Sequence, residues 1–279
     1  MSTIAKTLYE ALAASGEIRA GGTDYMERRR HHVTTGELLD ISMIRGLDKL
    51  EGSVIGGLAS IESVAQNLRI RKDYPGLAMA AGSLATPQIR HAATMGGALL
   101  QRTRCWYFRH EGISCFKKGG DSCPAREGNH QFGVCFDLGP CVFPHPSTLG
   151  MTLMAYDAEV EIFNKGNRKV ATLYGDGKNA KLDHLLSAGE ILVKIHMPPP
   201  LLHEKAAYFR STSRARAEWP LVEVIVRYQI QAGKIANASV AIGGVANVPL
   251  LLPAVAEFLN GKSPSPKAFR EAGKIAAHG

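Results

Sequence analysis

All five cysteines of this 279-residue chain, Cys105, Cys115, Cys123, Cys135 and Cys141, lie in one 37-residue window, and the other 242 residues contain none. Structural cysteines scattered through a core do not cluster in this way. Their odd number, with an N-terminus (Met1 to Glu10) that lacks the basic and apolar blocks of a secretory signal, argues against an extracellular disulfide framework and makes metal binding the leading reading. From Gln101 to about Ser147 regular periodicity disappears, and Gly, Pro, His and Cys stand among charged and aromatic residues. A loop of this length inside a compact chain is usually functional or disordered, and the cysteines favour function.

Outside the window the pattern is globular. A hydrophobic content of 45% suffices for at least one core and excludes disorder and collagen-like repetition. No apolar run approaches the roughly 18 residues of a membrane helix, so membrane insertion is not expected. Helical spacing marks Ile4 to Ala14, a strand at Glu17 to Ala20 runs into the turn Gly21-Gly22-Thr23-Asp24, and further strands are expected at Leu38 to Ser42 and Val54 to Leu58. A helix opens at Ser60, with Ser60 and Ser63 as candidate caps, and runs to about Ile70; another spans Leu77 to Ala85 and stops before Thr86-Pro87. Beyond the window a helix at Met151 to Ala155 precedes strands at Glu159 to Phe163, Val170 to Leu173 and Glu190 to Met197. Pro198-Pro199-Pro200 then makes the clearest boundary in the chain. A strand near Ala207 to Arg210, an apolar segment from Leu221 to Ile230, a strand from Ala236 to Gly243 and helices at Leu251 to Leu259 and Pro266 to Ala277 complete the chain. Strands grouped with helices, with little strict alternation, give an α+β class.

The Gly21-Gly22-Thr23 turn can bring backbone N–H groups against an anion, with Thr23 as a hydroxyl donor, but a Gly-Gly turn is also a plain strand connection. It matches neither the G-x-G-x-x-G dinucleotide pattern nor the P-loop. Four segments change the reading together: Ile18-Arg19-Ala20-Gly21-Gly22-Thr23-Asp24, Ala85-Thr86-Pro87-Gln88-Ile89-Arg90-His91-Ala92-Ala93-Thr94-Met95-Gly96-Gly97, Gly189-Glu190-Ile191-Leu192 and Ala241-Ile242-Gly243-Gly244-Val245-Ala246. In that order they resemble the FAD-binding subunits of the xanthine dehydrogenase and molybdenum hydroxylase family, over nearly the whole chain. The resemblance implies a two-subdomain FAD-binding domain of the molybdopterin dehydrogenase flavoprotein type over residues 1–200 and a small α/β C-terminal domain over 203–279. It implies that Ile18, Arg19, Ala20, Gly21, Gly22, Thr23, Asp24 and Tyr25 line the FAD pyrophosphate, that Leu84, Ala85, Ala93, Thr94 and Gly97 form the second flank, and that Leu192 and Arg210 add flavin contacts. Two departures stand out: Ala98 replaces the family's usual Asn, and Ser147-Thr148 its usual Ser-Asp. Each removes a polar contact to FAD, at about 1–3 kcal/mol if a buried partner is left unpaired.

The window, an insertion of about residues 102–146, is similar to that of the family subset carrying a four-cysteine [4Fe-4S] loop, the aldehyde oxidoreductase and 4-hydroxybenzoyl-CoA reductase type, most of all at Gln101-Arg102-Thr103-Arg104-Cys105-Trp106-Tyr107-Phe108-Arg109. That likeness implies Cys105, Cys115, Cys123 and Cys141 as ligands and Cys135 as an extra thiol, although spacing alone does not exclude Cys135. Four thiolates suit a cubane cluster, one per iron. The spacing C-x9-C-x7-C-x17-C is not that of a zinc ribbon. His110, His130 and His145 are read as loop histidines. Arg102, Arg104, Arg109, Lys117, Lys118 and Arg126 either favour the reduced cluster electrostatically or form a solvated basic loop.

Arg28-Arg29-Arg30-His31-His32 is read as a solvated turn or subunit contact, since no nucleic-acid motif accompanies it. Trp106 and Trp219 are expected in cores or interfaces, and no hydrolytic constellation is present. The expected function is that of an electron-transfer flavoprotein subunit holding FAD and a [4Fe-4S] cluster. By resemblance its partners are a molybdopterin-containing large subunit, a [2Fe-2S] small subunit and an external electron acceptor. A structural or relay subunit with weakened or lost FAD is the alternative. The expected location is cytoplasmic, or periplasmic by export with a signal-bearing partner. The +8 net charge then suits an anionic flavin and cluster rather than nucleic acid.

Overall fold

Short strands separated by glycine turns build the N-terminal part of the computed structural model, which describes residues 2–215 and 217–278. Strands β1 (Ser2–Ile4), β2 (Glu17–Arg19) and β3 (Leu38–Asp40) pair in the order β1-β3-β2, all parallel. Parallel neighbours need crossovers, and two short helices supply them. Helix α1 (Leu8–Ala13) links β1 to β2 and is capped by the Thr7 side chain, which accepts the Glu10 N–H; α2 (Tyr25–Arg30) links β2 to β3. The Gly21-Gly22 turn therefore sits where a strand's carboxyl end enters a helix, the usual place for ligands in parallel βα units. The helix expected from Ile4 is shorter because Ser2–Ile4 pairs with Leu38–Asp40 instead.

The second sheet is antiparallel, formed by β4 (Leu50–Glu51), β5 (Val54–Gly56), β6 (Glu159–Ile162), β7 (Gly166–Lys169) and β8 (Leu192–His196) in the order β4-β5-β8-β6-β7. Between β5 and β6 lie α3 (Ile61–Gln66), α4 (Leu68–Asp73), α5 (Pro75–Ser83), α6 (Pro87–Ala92), α7 (Met95–Leu99), α8 (Trp106–Arg109) and α9 (Thr148–Ala155). Ser60 caps α3 by accepting the Ser63 N–H, whereas Ser63 is no cap: its hydroxyl donates back to the Ser60 carbonyl. The single helix expected from Ser60 to Ile70 is two helices, because Asn67 adopts an extended conformation and its side chain accepts the Ile70 N–H, starting α4 afresh. Every residue of α9 is buried, and Leu149, Met151 and Leu153 pack with Leu77, Met95, Leu99 and Ile195 in the largest core. Val170–Leu173, expected as a strand, is a 3-10 turn; Val170 and Leu173 both point into the core three residues apart, and Gly166–Lys169 forms the strand.

The C-terminal sheet is antiparallel, with β9 (Lys205–Ser211), β10 (Val222–Gln231), β11 (Lys234–Gly243) and β12 (Leu250–Leu251) in the order β12-β11-β10-β9. Helices α10 (Pro253–Leu259) and α11 (Pro266–His278) contribute Val255, Leu259 and Ala272 to a core with Ile235, Val240 and Ile242 of β11. The helix expected from Leu251 starts at Pro253, since Leu250 and Leu251 pair with Ile242 and Ala241. The two domains are joined by a buried polar knot: Arg227 donates to Glu204 from Nε at 3.0 Å and Nη2 at 2.7 Å, and Tyr156 donates to the same carboxylate at 2.6 Å while accepting the Gly76 N–H at 3.0 Å. No helix among the described residues is long and apolar enough to cross a membrane.

Candidate functional site

The glycine turn after β2 forms one wall of a cleft of about 560 Å³, a volume within the range of small-molecule and cofactor sites. The start of α7 and the segment from Leu186 into β8 form the others. Gly21 is required by packing: a Cβ there would collide with the carbonyl oxygen of Ala92 at the end of α6. Gly22 has φ +76°, a conformation L side chains rarely adopt. At the facing wall, Thr94 caps α7 by accepting the Gly97 N–H at 3.2 Å, which leaves its own hydroxyl proton free to donate. A Cβ on Gly97 would lie 2.9 Å from that hydroxyl oxygen. Thr23 is exposed on the loop above.

Ile18, Ala20, Gly21, Gly22, Thr23, Asp24 and Tyr25 line the cleft, as do Thr94, Gly97 and Leu192. The other residues expected at the site do not line this cleft. Arg19 pairs with Asp40 of β3. The Leu84 and Ala85 carbonyls accept from Arg90, and the Ala93 carbonyl accepts the Ile61 N–H. Arg210 donates to the Ser83 carbonyl at 2.6 Å and to Glu218, tying the C-terminal sheet to the end of α5. Ala98 is buried, and the Thr148 hydroxyl donates at 2.8 Å to Glu223, a fully buried carboxyl whose pKa burial raises. Cleft residues outside those expected to hold FAD include Gln101 and Arg102, which the sequence ties to the cysteine loop instead, His184, which has no sequence signal of its own, and Gly57, whose Gly56-Gly57 pair fits within a strand pattern.

Four cysteines meet nearby. Cys105, Cys115, Cys123 and Cys141 line one small apolar cavity with Phe108 and Phe143, while Cys135 is exposed elsewhere, its backbone N–H donating to the Val245 carbonyl. Burial pushes the Cys105 thiol up to about 11 and raises Cys141 as well, so both are neutral until a cation compensates. Among the described residues no three His, Cys, Asp or Glu side chains converge closely enough to share a single ion. The four thiols line a small cavity instead. His110 and His130 are engaged with their own loop.

A band of ion pairs separates cleft from cavity. Burial alone would raise the Asp24 carboxyl, but Arg109, Arg28 and Arg104 hold it below its usual value; Arg109 Nη2 lies 2.5 Å away and Arg28 Nε 3.1 Å. Asp183, likewise buried, is held well below the carboxylate range by Lys117 at 2.8 Å and Arg102 at 2.6 Å. Arg104 and Arg109 of the cysteine loop are thus paired to the glycine turn, and Arg102 to Asp183, rather than solvated. Arg126, exposed and bridged to Asp137, stands apart from them.

His145, beneath this band, accepts the Ser147 N–H at Nδ1, so Nε2 carries the proton and donates to the Asp183 carbonyl. Burial lowers its pKa to about 4. Below pH 6.5 the unfolded chain takes a proton that the folded chain refuses, and stability falls by about 1.4 kcal/mol per pH unit until pH approaches 4, roughly 3 kcal/mol in all. His145→Gln is expected to flatten denaturation free energy between pH 6.5 and 4 relative to the wild type. A parallel pair of pH profiles would refute this.

The chain matches the family model described as the FAD binding domain in molybdopterin dehydrogenase over residues 3–200, and that of the CO dehydrogenase flavoprotein C-terminal domain over 207–279. It is 35% identical over 243 residues to the aldehyde oxidoreductase FAD-binding subunit PaoB of Escherichia coli (strain K12), covering 82% of this chain and 74% of that one. To the xanthine dehydrogenase FAD-binding subunit of Escherichia coli O157:H7 it is 23% identical over 245 residues, covering 84% and 68%. Among solved structures, a carbon monoxide dehydrogenase chain from Hydrogenophaga pseudoflava superposes with TM-score 0.75 at 20% identity, over 99% of this chain and 85% of that one. A quinoline 2-oxidoreductase chain from Pseudomonas putida 86 gives 0.72 at 19% identity, over 100% and 85%. At these identities the structures share the fold.

Proposed function

We propose that this chain, which belongs to the family of FAD-binding subunits of molybdenum hydroxylases and is an oxidoreductase component, binds FAD in the glycine-turn cleft and a [4Fe-4S] cluster in the cysteine cavity, and serves as the electron-transfer flavoprotein of a heteromeric complex. The observation carrying the reading is the juxtaposition of a cleft whose glycines admit backbone approach and a cavity lined by four of the five cysteines, with one layer of ion pairs between them. Bound FAD would exchange electrons singly or in pairs. A cubane cluster would carry them one at a time.

The chain's own residues bind and orient. The Gly21-Gly22 backbone allows N–H groups to approach a diphosphate, and Thr23 and the free proton of Thr94 add hydroxyl donors. Leu58, Leu100 and Leu192 give the cleft apolar wall that excludes water. Cys105, Cys115, Cys123 and Cys141 would hold the cluster as thiolates, with the N–H groups of Phe108 and Tyr107 directed at Cys105 and that of Phe143 at Cys141. The implied partners are a molybdopterin subunit that oxidises the organic substrate, a [2Fe-2S] subunit and an external acceptor.

A second reading, a relay or structural subunit with weakened or lost FAD, is favoured by two observations: Ala98 offers no polar atom, and Thr148 spends its hydroxyl on Glu223. Denaturing the purified complex and assaying the filtrate separates the two. The expected result is about one FAD per chain and, beyond the iron and sulfide of the [2Fe-2S] subunit, about four iron and four labile sulfide. Iron without flavin would favour the second reading, and zinc in place of iron would overturn the cluster.

A further inference from the structure

The cysteine loop reaches into the flavin cleft. Its first residue, Arg102, lines that cleft, with Nε donating to Asp183 at 2.6 Å and the guanidinium carbon 5.1 Å from the ring centroid of Phe108, a wall residue of the cysteine cavity. Nε is its only guanidinium nitrogen with a partner among the described residues, which leaves the terminal nitrogens for a ligand. The other Asp183 oxygen lies 2.8 Å from Nζ of Lys117, which lines the cysteine cavity and has a side chain only 5% exposed. One carboxylate therefore joins a cation in the cavity wall to a cation in the cleft wall. The set carries one surplus positive charge, with Asp183 and Lys117 buried and Arg102 partly exposed at the cleft, where an anionic ligand can neutralise it.

The glycine turn is tied to the same loop by a separate set of contacts. Asp24 is bonded by Arg109, approached by Arg104 and capped by the Arg102 backbone N–H at 3.2 Å. The loop that supplies these groups has no long element of its own; its regular structure is α8 and two 3-10 turns, Phe116–Lys118 and Pro124–Arg126. Ordering so much irregular chain costs entropy that one small apolar cavity does little to offset and metal–thiolate bonds offset readily.

We propose that Arg102 is a ligand of the diphosphate held in the cleft, and that metal loading of the cysteine loop and dinucleotide binding are coupled through the Arg102–Asp183–Lys117 bridge. The proposal rests on the reading of the cleft as the FAD site and the cavity as the cluster site. Coupling of this kind is reciprocal: a loaded loop raises FAD affinity, and bound FAD retains metal to the same factor.

The test uses the intact heteromeric complex, stripped of flavin by mild salt treatment and titrated with FAD by flavin fluorescence, with iron assayed in parallel. Arg102→Gln is expected to weaken FAD binding about tenfold or more at full iron content, and Arg102→Lys to recover part of the loss, as befits a charge-assisted contact. Added salt should weaken the wild type more than Arg102→Gln. Chelating the cysteine-loop iron from the wild-type complex, with the [2Fe-2S] iron of the partner followed separately by its visible spectrum, avoids any failure of a cysteine variant to assemble and should also raise the FAD dissociation constant about tenfold or more. Wild-type affinity in Arg102→Gln overturns the ligand role, and unchanged affinity after iron removal overturns the coupling; both outcomes leave the cofactor reading standing. A wild-type complex that binds no FAD, or contains no iron beyond that of the [2Fe-2S] subunit, fails that underlying reading instead.

Discussion

Substituting Cys141 by serine is expected to remove about four iron and four labile sulfide per chain from the purified complex, leaving those of the [2Fe-2S] subunit, whereas Cys135→Ser leaves iron and labile sulfide at wild-type levels. The two residues are six positions apart, yet the fold separates them. Cys141 is buried in the cavity with Cys105, Cys115 and Cys123, and Phe143 directs its N–H toward the thiol. Cys135 is exposed, anchored through its backbone to Val245 of the C-terminal domain, and does not line the cavity. Serine is nearly isosteric, so the loop keeps its shape, but a hydroxyl does not ionise near neutral pH as a metal-bound thiolate does. Visible absorbance and iron per chain, measured side by side for both variants, report the outcome. Full iron in Cys141→Ser together with loss in Cys135→Ser would overturn the ligand set.

Much of this arrangement was legible from residue order, and the illegible part has a common physical cause. The Gly21-Gly22 pair, by itself a plain strand connection as readily as an anion site, takes its meaning from the segments that accompany it, whereas the cysteine window announces itself because few plain structural roles demand such residues in such company. Ser60 declares a cap for the same reason. Asn67 does not: Leu68 and Ile70 continue the apolar pattern through it, and only its extended backbone and its bond to the Ile70 N–H reveal a second helix start. Val170 and Leu173 look like strand residues by composition, but both face inward from a tight turn. At the site, the silent residues are those whose role depends on partners far away in sequence. Arg102 meets Asp183, Arg109 meets Asp24, and Arg28, one of three consecutive arginines that resemble a solvated turn, is buried against Glu17 and Asp24. No local pattern encodes such pairings. The choice of four cysteines from five is implied by family likeness, since spacing leaves Cys135 open; those four line one cavity and Cys135 does not.

The second large effect is expected at Gly21. Its backbone is packed against the Ala92 carbonyl so tightly that a Cβ has no room, and the obstructing atom is main chain at the end of α6, which no rotamer change can move aside. Gly21→Ala must therefore push the glycine turn away from the wall that carries Thr94 and Gly97, on the opposite side of the cleft. Overpacking of this kind costs about 1–3 kcal/mol. Because the displaced atoms line the cleft, most of that cost is expected to appear in FAD affinity, as a loss of about ten- to a hundredfold. The cysteine cavity lies beyond the band of ion pairs, so iron content should hold, which distinguishes a local defect from a failure to fold. Gly273→Ala is the control: Gly273 is exposed on α11 with nothing within 4 Å of a Cβ, and alanine there should raise helix stability by about 1 kcal/mol without touching flavin or iron. If Gly21→Ala binds FAD as the wild type does, the close approach of the two walls is not what holds the cofactor. The cleft's affinity would then have to come from side chains that reach across it.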